Sequence, residues 1–260
     1  MASVPSTPSD PRSPSRFHHF APDATALVVG ATGGIGAAVA DLLDEEPGFA
    51  LVLRTGRDTA TKESTAGISL DLAADASIAA AAEAIRARTQ RLDLVLICSG
   101  LLHDEQRDIH PEKRVSELRR AALQQQFEIN AIGPALLAAA LESLLPRRER
   151  CVWGTLSARV GSIGDNRLGG WYGYRASKAA QNMFTRTLAI ELGRRHKGLA
   201  CVALHPGTVA TNLSAPFRSA AASGVMEPAT AAGHLLDVVA GLGPEQTGGF
   251  FAWNGEAIPW

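Results

Sequence analysis

Short runs of consecutive apolar residues, several rich in β-branched side chains, alternate along this chain with longer stretches whose apolar residues recur at helical spacing. The runs TALVV at 25–29, ALVL at 50–53, GISLDL at 67–72, DLVLI at 93–97, CVWGTL from Cys151, LACVAL at 199–204 and GGFFAW at 248–253 read as strands. Between them fall AAVADLLDEE at 37–46, an alanine-rich helix to about Thr89, QQQFEINAIGPALLAAALESLLP at 124–146, a stripe through Met183, Phe184, Thr187, Leu188 and Leu192, and a helix at 228–239. Strands that alternate with helices predict an α/β Rossmann-type fold. Its core is a doubly wound parallel sheet of about seven strands with helices on both faces, and ligands sit at the carboxyl ends of the strands.

Composition narrows this further. A chain of 260 residues, 46% of them hydrophobic, buries a full core as one domain, expected over 21–260. Residues 1–20 open on a Ser- and Pro-rich stretch too polar to order, and are expected to form a disordered arm. The formal net charge of −1 gives no electrostatic case for nucleic acid or an anionic membrane as partner, and no apolar run is read as long enough to cross a bilayer. Cys98, Cys151 and Cys201 stand far apart, without the paired spacing of a disulfide framework or metal knuckle, which fits a reducing cytoplasm. His103 and His110 also lack metal-ligand spacing, so no metal is expected.

Chemistry concentrates where strands end. TALVV runs into GATGGIG and then a helix: Gly30 allows the tight turn, Gly34 lets backbone approach phosphate, and Gly36 lets helix and strand pack closely. The second strand ends in Arg54, Thr55, Gly56 and Arg57. There a carboxylate would select a ribose 2′-hydroxyl and an arginine a 2′-phosphate, although Asp58 stands next to Arg57. Pro134 lacks the N–H that the Asn130 carbonyl would accept from in a regular helix, so a kink is expected and the freed carbonyl can hold a water. In WYGYRASKAA, Tyr174 and Lys178 stand four apart and share one helix face, where an ammonium favours a phenolate; the spacing alone is also that of a tyrosine beside a solvated lysine. Residues 209–226 mix Ser, Ala, Pro and Phe and read as a mobile substrate lid.

Together these motifs resemble the short-chain dehydrogenase/reductase superfamily over nearly everything from Thr25 to Trp260: VGATGGIG, Asp71, CSG at 98–100, FEINAIGP, YRASK and HPGTVAT. GLLHDE, PEKR, ARVGSIGDNRLGGWYGYRASKAAQNM and FFAWNGEAIPW are similar to its C-factor and sniffer-like single-domain group. The resemblance implies a carbonyl reductase or alcohol dehydrogenase acting on a small molecule as a homo-oligomer, dimer or tetramer; Arg57, with no acidic residue from Ala50 to Arg57, points to NADP(H) by preference, with NAD(H) the alternative. It implies Tyr174 as proton donor, Lys178 on the tyrosine and the nicotinamide ribose, and Asn130 on a relay water. For the cofactor it implies Gly30, Thr32, Gly33, Gly34, Ile35 and Gly36 at the pyrophosphate and Arg57, Asp71 and Leu72 towards the adenosine end. Ser99, Gly100, Pro206, Gly207, Val209 and Thr211 complete the set, alongside Asn130, Tyr174 and Lys178. Two departures stand out. Ile97 and Cys98 replace the usual asparagines, and Ala158 stands where the family places its catalytic serine, with Ser157 one residue earlier. Ser157 is read as its replacement, swung in by a bulge or early turn, with Ser162 as runner-up. A low-turnover redox-sensing or signalling protein on the same fold is the competing function.

Overall fold

The computed structural model describes residues 15–57, 67–217 and 224–260. Seven strands form one sheet among these residues: β1 (Ala24–Val29), β2 (Phe49–Gly56), β3 (Gly67–Ser69), β4 (Leu94–Ile97), β5 (Cys151–Leu156), β6 (Leu199–His205) and β7 (Phe250–Ala252). They lie in the order β3-β2-β1-β4-β5-β6-β7, and every pair is parallel. The helices are α1 (Gly34–Asp44), α2 (Asp75–Arg86), α3 (Arg120–Phe127), α4 (Gly133–Leu141), α5 (Tyr172–Leu192) and α6 (Pro228–Gly241). The expected Rossmann-type fold is the one observed.

Strand alternation divides the core in two. In β1, Leu27 and Val29 face one side with Ile85 of α2, Leu141 of α4 and Leu192 of α5, whereas Ala26 and Val28 face the other with Val39 of α1 and Leu236 of α6. Each such Leu or Ile, fully buried, contributes about 1.5–3 kcal/mol of transfer free energy. The strand order reverses between β1 and β4, where the carboxyl edge of the sheet opens as a cleft.

Three expectations shift. Residues 1–14 of the arm lie outside the described residues, but Phe17 and Phe20 are buried edge-to-face on each other at 5.4 Å, with Phe49 at 5.1 Å from Phe17. Arg16 pairs with Glu46 and Asp237, so the domain takes in the segment from Ser15. The long helix at 124–146 is broken: α3 passes into a π-helical turn, Glu128–Ile132, where Gly133 N–H reaches back to the Glu128 carbonyl, and Pro134 follows directly. Finally, the helical run Arg120–Leu144 does have the length and composition of a membrane span; here Leu137, Ala138 and Leu141 pack in the domain core.

The aromatic end of the chain folds back on β7. Ile258 N–H donates to the Phe250 carbonyl, Trp260 stacks on Phe250 at 5.5 Å, and Trp253 abuts Gly207 and Met226 at the base of the expected lid. Trp260 remains 37% exposed.

Candidate active site

The glycine turn is built by close approach. Gly30 has φ +82°, and a side chain there would press on Ser99; a Cβ at Gly36 would collide with the Gly30 carbonyl. Gly30 and Ala31 N–H both donate to the Thr55 carbonyl, tying the turn to the end of β2. No side chain caps α1, so the first-turn amides of Gly34, Ile35 and Gly36 have no intrahelical acceptor and are left for an anion. The set fits the diphosphate of a dinucleotide.

A cleft of about 560 Å³ runs from this turn across the sheet edge. Of the residues expected at the cofactor, Gly30, Thr32, Gly33, Gly34, Ile35, Gly36, Arg57, Asp71, Leu72, Ser99, Gly100, Tyr174, Lys178, Pro206 and Thr211 line it. Asn130, Gly207 and Val209 do not: Gly207 faces Trp253 and Met226, and Val209 is buried and bridges to Met226. Arg54 is committed to Asp41 and Asp44 on α1, whereas Arg57 lines the cleft with no protein partner among the described residues. Asp58 lies outside the described residues, as do 218–223 of the expected lid. One oxygen of Asp71 accepts from Ala73 N–H, which shapes the strand exit.

At the other end, Tyr174 and Lys178 sit on one face of α5, as their spacing predicts. Both are buried, and the Lys178 ammonium donates to the Leu156 carbonyl at 2.8 Å and to Gln181 Oε1 at 2.9 Å. It stands 5.9 Å from the centre of the Tyr174 ring. Burial pushes the lysine down to about 7 against the opposing influence of Cys98, and burial pushes the tyrosine phenol up. Burial thus acts against the lowered phenol expected from Lys178 and favours the protonated form of Tyr174. Asn130 Oδ1 and Lys178 Nζ both lie 3.6 Å from where a Cβ of Gly100 would stand, so they flank the exit of β4 together. The Asn130 side chain accepts from Leu101 N–H at 2.7 Å and donates to the Leu101 carbonyl and to Ser177 Oγ at 2.8 and 2.9 Å. It clamps that exit to α5.

Ser157 lines the cleft without the expected bulge. The β5–β6 pairing is regular, and Ser157 N–H extends it by donating to the Leu204 carbonyl. Its hydroxyl lies 2.6 Å from Asn182 Oδ1, and Asn182 Nδ2 donates to the Gly161 carbonyl. That second bond fixes the amide orientation, so the Ser157 proton goes to Asn182. Ser162 is outside the cleft, donating to the Pro259 carbonyl and accepting from Asp165 N–H.

Sequence reasoning missed several groups here. Asn182 continues the Tyr174–Lys178 stripe by one more turn, and that spacing was the available signal. Gln181, which holds Lys178, lies on the same face at i+3 from it and carried the same signal, whereas His103, noted only for its lack of metal-ligand spacing, stands at the cleft wall edge-to-face on Phe217. Among the described residues no group of His, Cys, Asp or Glu could hold a metal.

A phosphate cradle, an open arginine and a buried Tyr–Lys pair along one cleft define a dinucleotide-dependent oxidoreductase on a Rossmann-type fold. The short chain dehydrogenase family matches residues 24–222, and the chain belongs to it, an NAD(P)-dependent oxidoreductase by class. It is 32% identical over 238 residues to the 1-hydroxy-2-glutathionyl-2-methyl-3-butene dehydrogenase of Rhodococcus sp. strain AD45, covering 91% of this chain and 99% of that one. It is 36% identical over 140 residues to the C-signal of Myxococcus xanthus, covering 54% of this chain and 80% of that one. In fold it is similar to the carbonyl reductase Sniffer of D. melanogaster, with TM-score 0.78 at 24% identity over 92% of this chain and 100% of that one. It is likewise similar to an NADPH-bound carbonyl reductase from chicken fatty liver, with TM-score 0.80 at 24% identity over 94% and 98% of the two chains. The C-signal relative bears out the resemblance to the C-factor group, and the two solved structures share the fold.

Proposed function

We propose that this protein is an NADP(H)-dependent reductase of small-molecule carbonyl compounds, able to run in reverse as an alcohol dehydrogenase. The observation that carries it is the buried Tyr174–Lys178 pair opening on the same cleft as the uncapped glycine turn. Tyr174, neutral at pH 7, gives its proton to the carbonyl oxygen as that oxygen gains charge. Lys178 stabilises the tyrosinate left behind and holds the ribose. Ser157 turns its hydroxyl to the carbonyl, and the Asn130 main chain beside Pro134 holds the water that returns a proton. Bound nucleotide supplies the hydride. The first turn of α1 takes the pyrophosphate, Asp71 and Leu72 the adenine, and Pro206 and Thr211 the carboxamide side. The exposed apolar side chains Leu136 of α4 and Met183, Phe184 and Ile190 of α5 support a homo-oligomer, dimer or tetramer. The free thiols suit the cytoplasm.

Arg57 selects the cofactor. It has no partner among the described residues, it follows directly on β2, and a charge-assisted contact to a 2′-phosphate supports roughly hundredfold discrimination. NADPH is therefore expected to exceed NADH in kcat/KM by about that factor. Arg57→Ala is expected to remove most of the difference by weakening NADPH alone. Steady-state kinetics in which wild type uses NADH as well as NADPH would overturn the assignment.

A further inference from the structure

The PEKR stretch is used by nothing described so far, yet its glutamate is one of the few buried charged side chains. Glu112 is 3% exposed, and its main-chain carbonyl accepts Trp171 N–H while its Oε2 accepts Gly173 N–H at 3.1 Å. Those two amides begin α5, the helix that carries Tyr174 on its first turn. α5 has no side-chain cap of its own. Its N-cap residue, Trp171, sits at φ +50°, a left-handed conformation that is costly for a residue with a Cβ. Glu112 supplies the missing cap from a distant loop, and its carboxylate lies at the positive end of the helix dipole.

The remaining space is filled from the other side. A Cβ at Gly173 would collide with Gln126 Oε1 and stand 3.1 Å from Glu112 Oε1, and both oxygens are buried without a donor among the described residues. Two unpaired buried acceptors around a helix start call for an explanation beyond packing.

We propose that Glu112 is a positioning residue for Tyr174: by holding Trp171 and Gly173 it fixes the first turn of α5 and so the place of the phenol. This rests on Tyr174 being the proton donor. The geometry makes reach, rather than charge, the property that matters. Glu112→Asp keeps the charge but withdraws the carboxylate by about 1.5 Å, one carbon–carbon bond. Glu112→Gln drops the charge, keeps an acceptor for Gly173 N–H and offers Gln126 Oε1 a donor.

The test measures kcat, KM, NADPH affinity and Gly173 amide exchange in both variants. Glu112→Asp is expected to lower kcat by about ten- to a hundredfold at unchanged NADPH affinity, because misplacing a reacting group by about 1 Å has effects of this size. Its Gly173 amide is expected to exchange about tenfold faster. Glu112→Gln is expected to keep kcat within about threefold of wild type and Gly173 exchange slow. The opposite order would overturn the proposal, since it would mean that charge is what counts. A change confined to KM or to NADPH affinity would also overturn it. If wild type itself turned over no carbonyl compound, the function proposed above would fail, while Gly173 exchange would still decide whether Glu112 clamps the helix.

Discussion

Tyr174→Phe is expected to lower kcat/KM by about 10²–10⁴, the range for loss of a general acid, while leaving the fold and NADPH binding intact. The change removes one oxygen. Tyr174 is buried, its ring meets the edge of Trp171 at 6.3 Å, and its hydroxyl has no protein partner among the described residues. Phenylalanine keeps the ring contacts and leaves no buried group unpaired, so thermal stability is expected to move by less than about 1 kcal/mol. The lost function is specific, because burial keeps the phenol protonated and Lys178 stands ready to stabilise the anion once the proton has gone. The checks are steady-state kinetics on the best carbonyl substrate, an NADPH titration and a melting curve. A loss below tenfold would remove Tyr174 from the chemistry.

Ser157→Ala is expected to cost about 10²–10³ in kcat/KM, the effect of removing one donor to a developing oxyanion. Ser157 lines the cleft with Tyr174 and Lys178, and Asn182 holds its hydroxyl at 2.6 Å. The hydroxyl has a single proton, now given to Asn182, and a carbonyl substrate requires it to turn. Ser162→Ala serves as the control: its hydroxyl secures the chain end through Pro259, and the change is expected to leave kcat/KM within about threefold. If Ser157→Ala costs less than that, the site works without a serine hydroxyl.

Sequence made legible what depends on period and local chemistry. Alternating strands and helices predicted the sheet, glycine spacing the phosphate turn, and a four-residue interval the Tyr174–Lys178 face. What stayed hidden depends on contacts across the fold. Glu112 and Gly173, or Ser157 and Asn182, meet only after β4, β5 and α5 assemble, and no periodicity records such pairs. The kink was legible from Pro134, but its form was not: a π turn needs the tertiary setting in which Gly133 packs against Leu72. Phe17 and Phe20 were obscured by the Ser- and Pro-rich stretch before them, although two aromatics so close together were a signal of burial. At β5 neither the expected bulge nor an early turn is needed, because a regular strand end carries Ser157 to the cleft.

The central claim is that this cleft reduces carbonyl compounds with NADPH. It is tested most directly by following NADPH consumption by the wild-type protein across a panel of aldehydes, ketones and quinones. The expected result is saturable turnover on at least one class, with the alcohol, or the hydroquinone from a quinone, recovered in proportion to NADPH oxidised. Tight NADPH binding with no turnover on any of them would contradict the claim and favour a redox-sensing protein on the same fold.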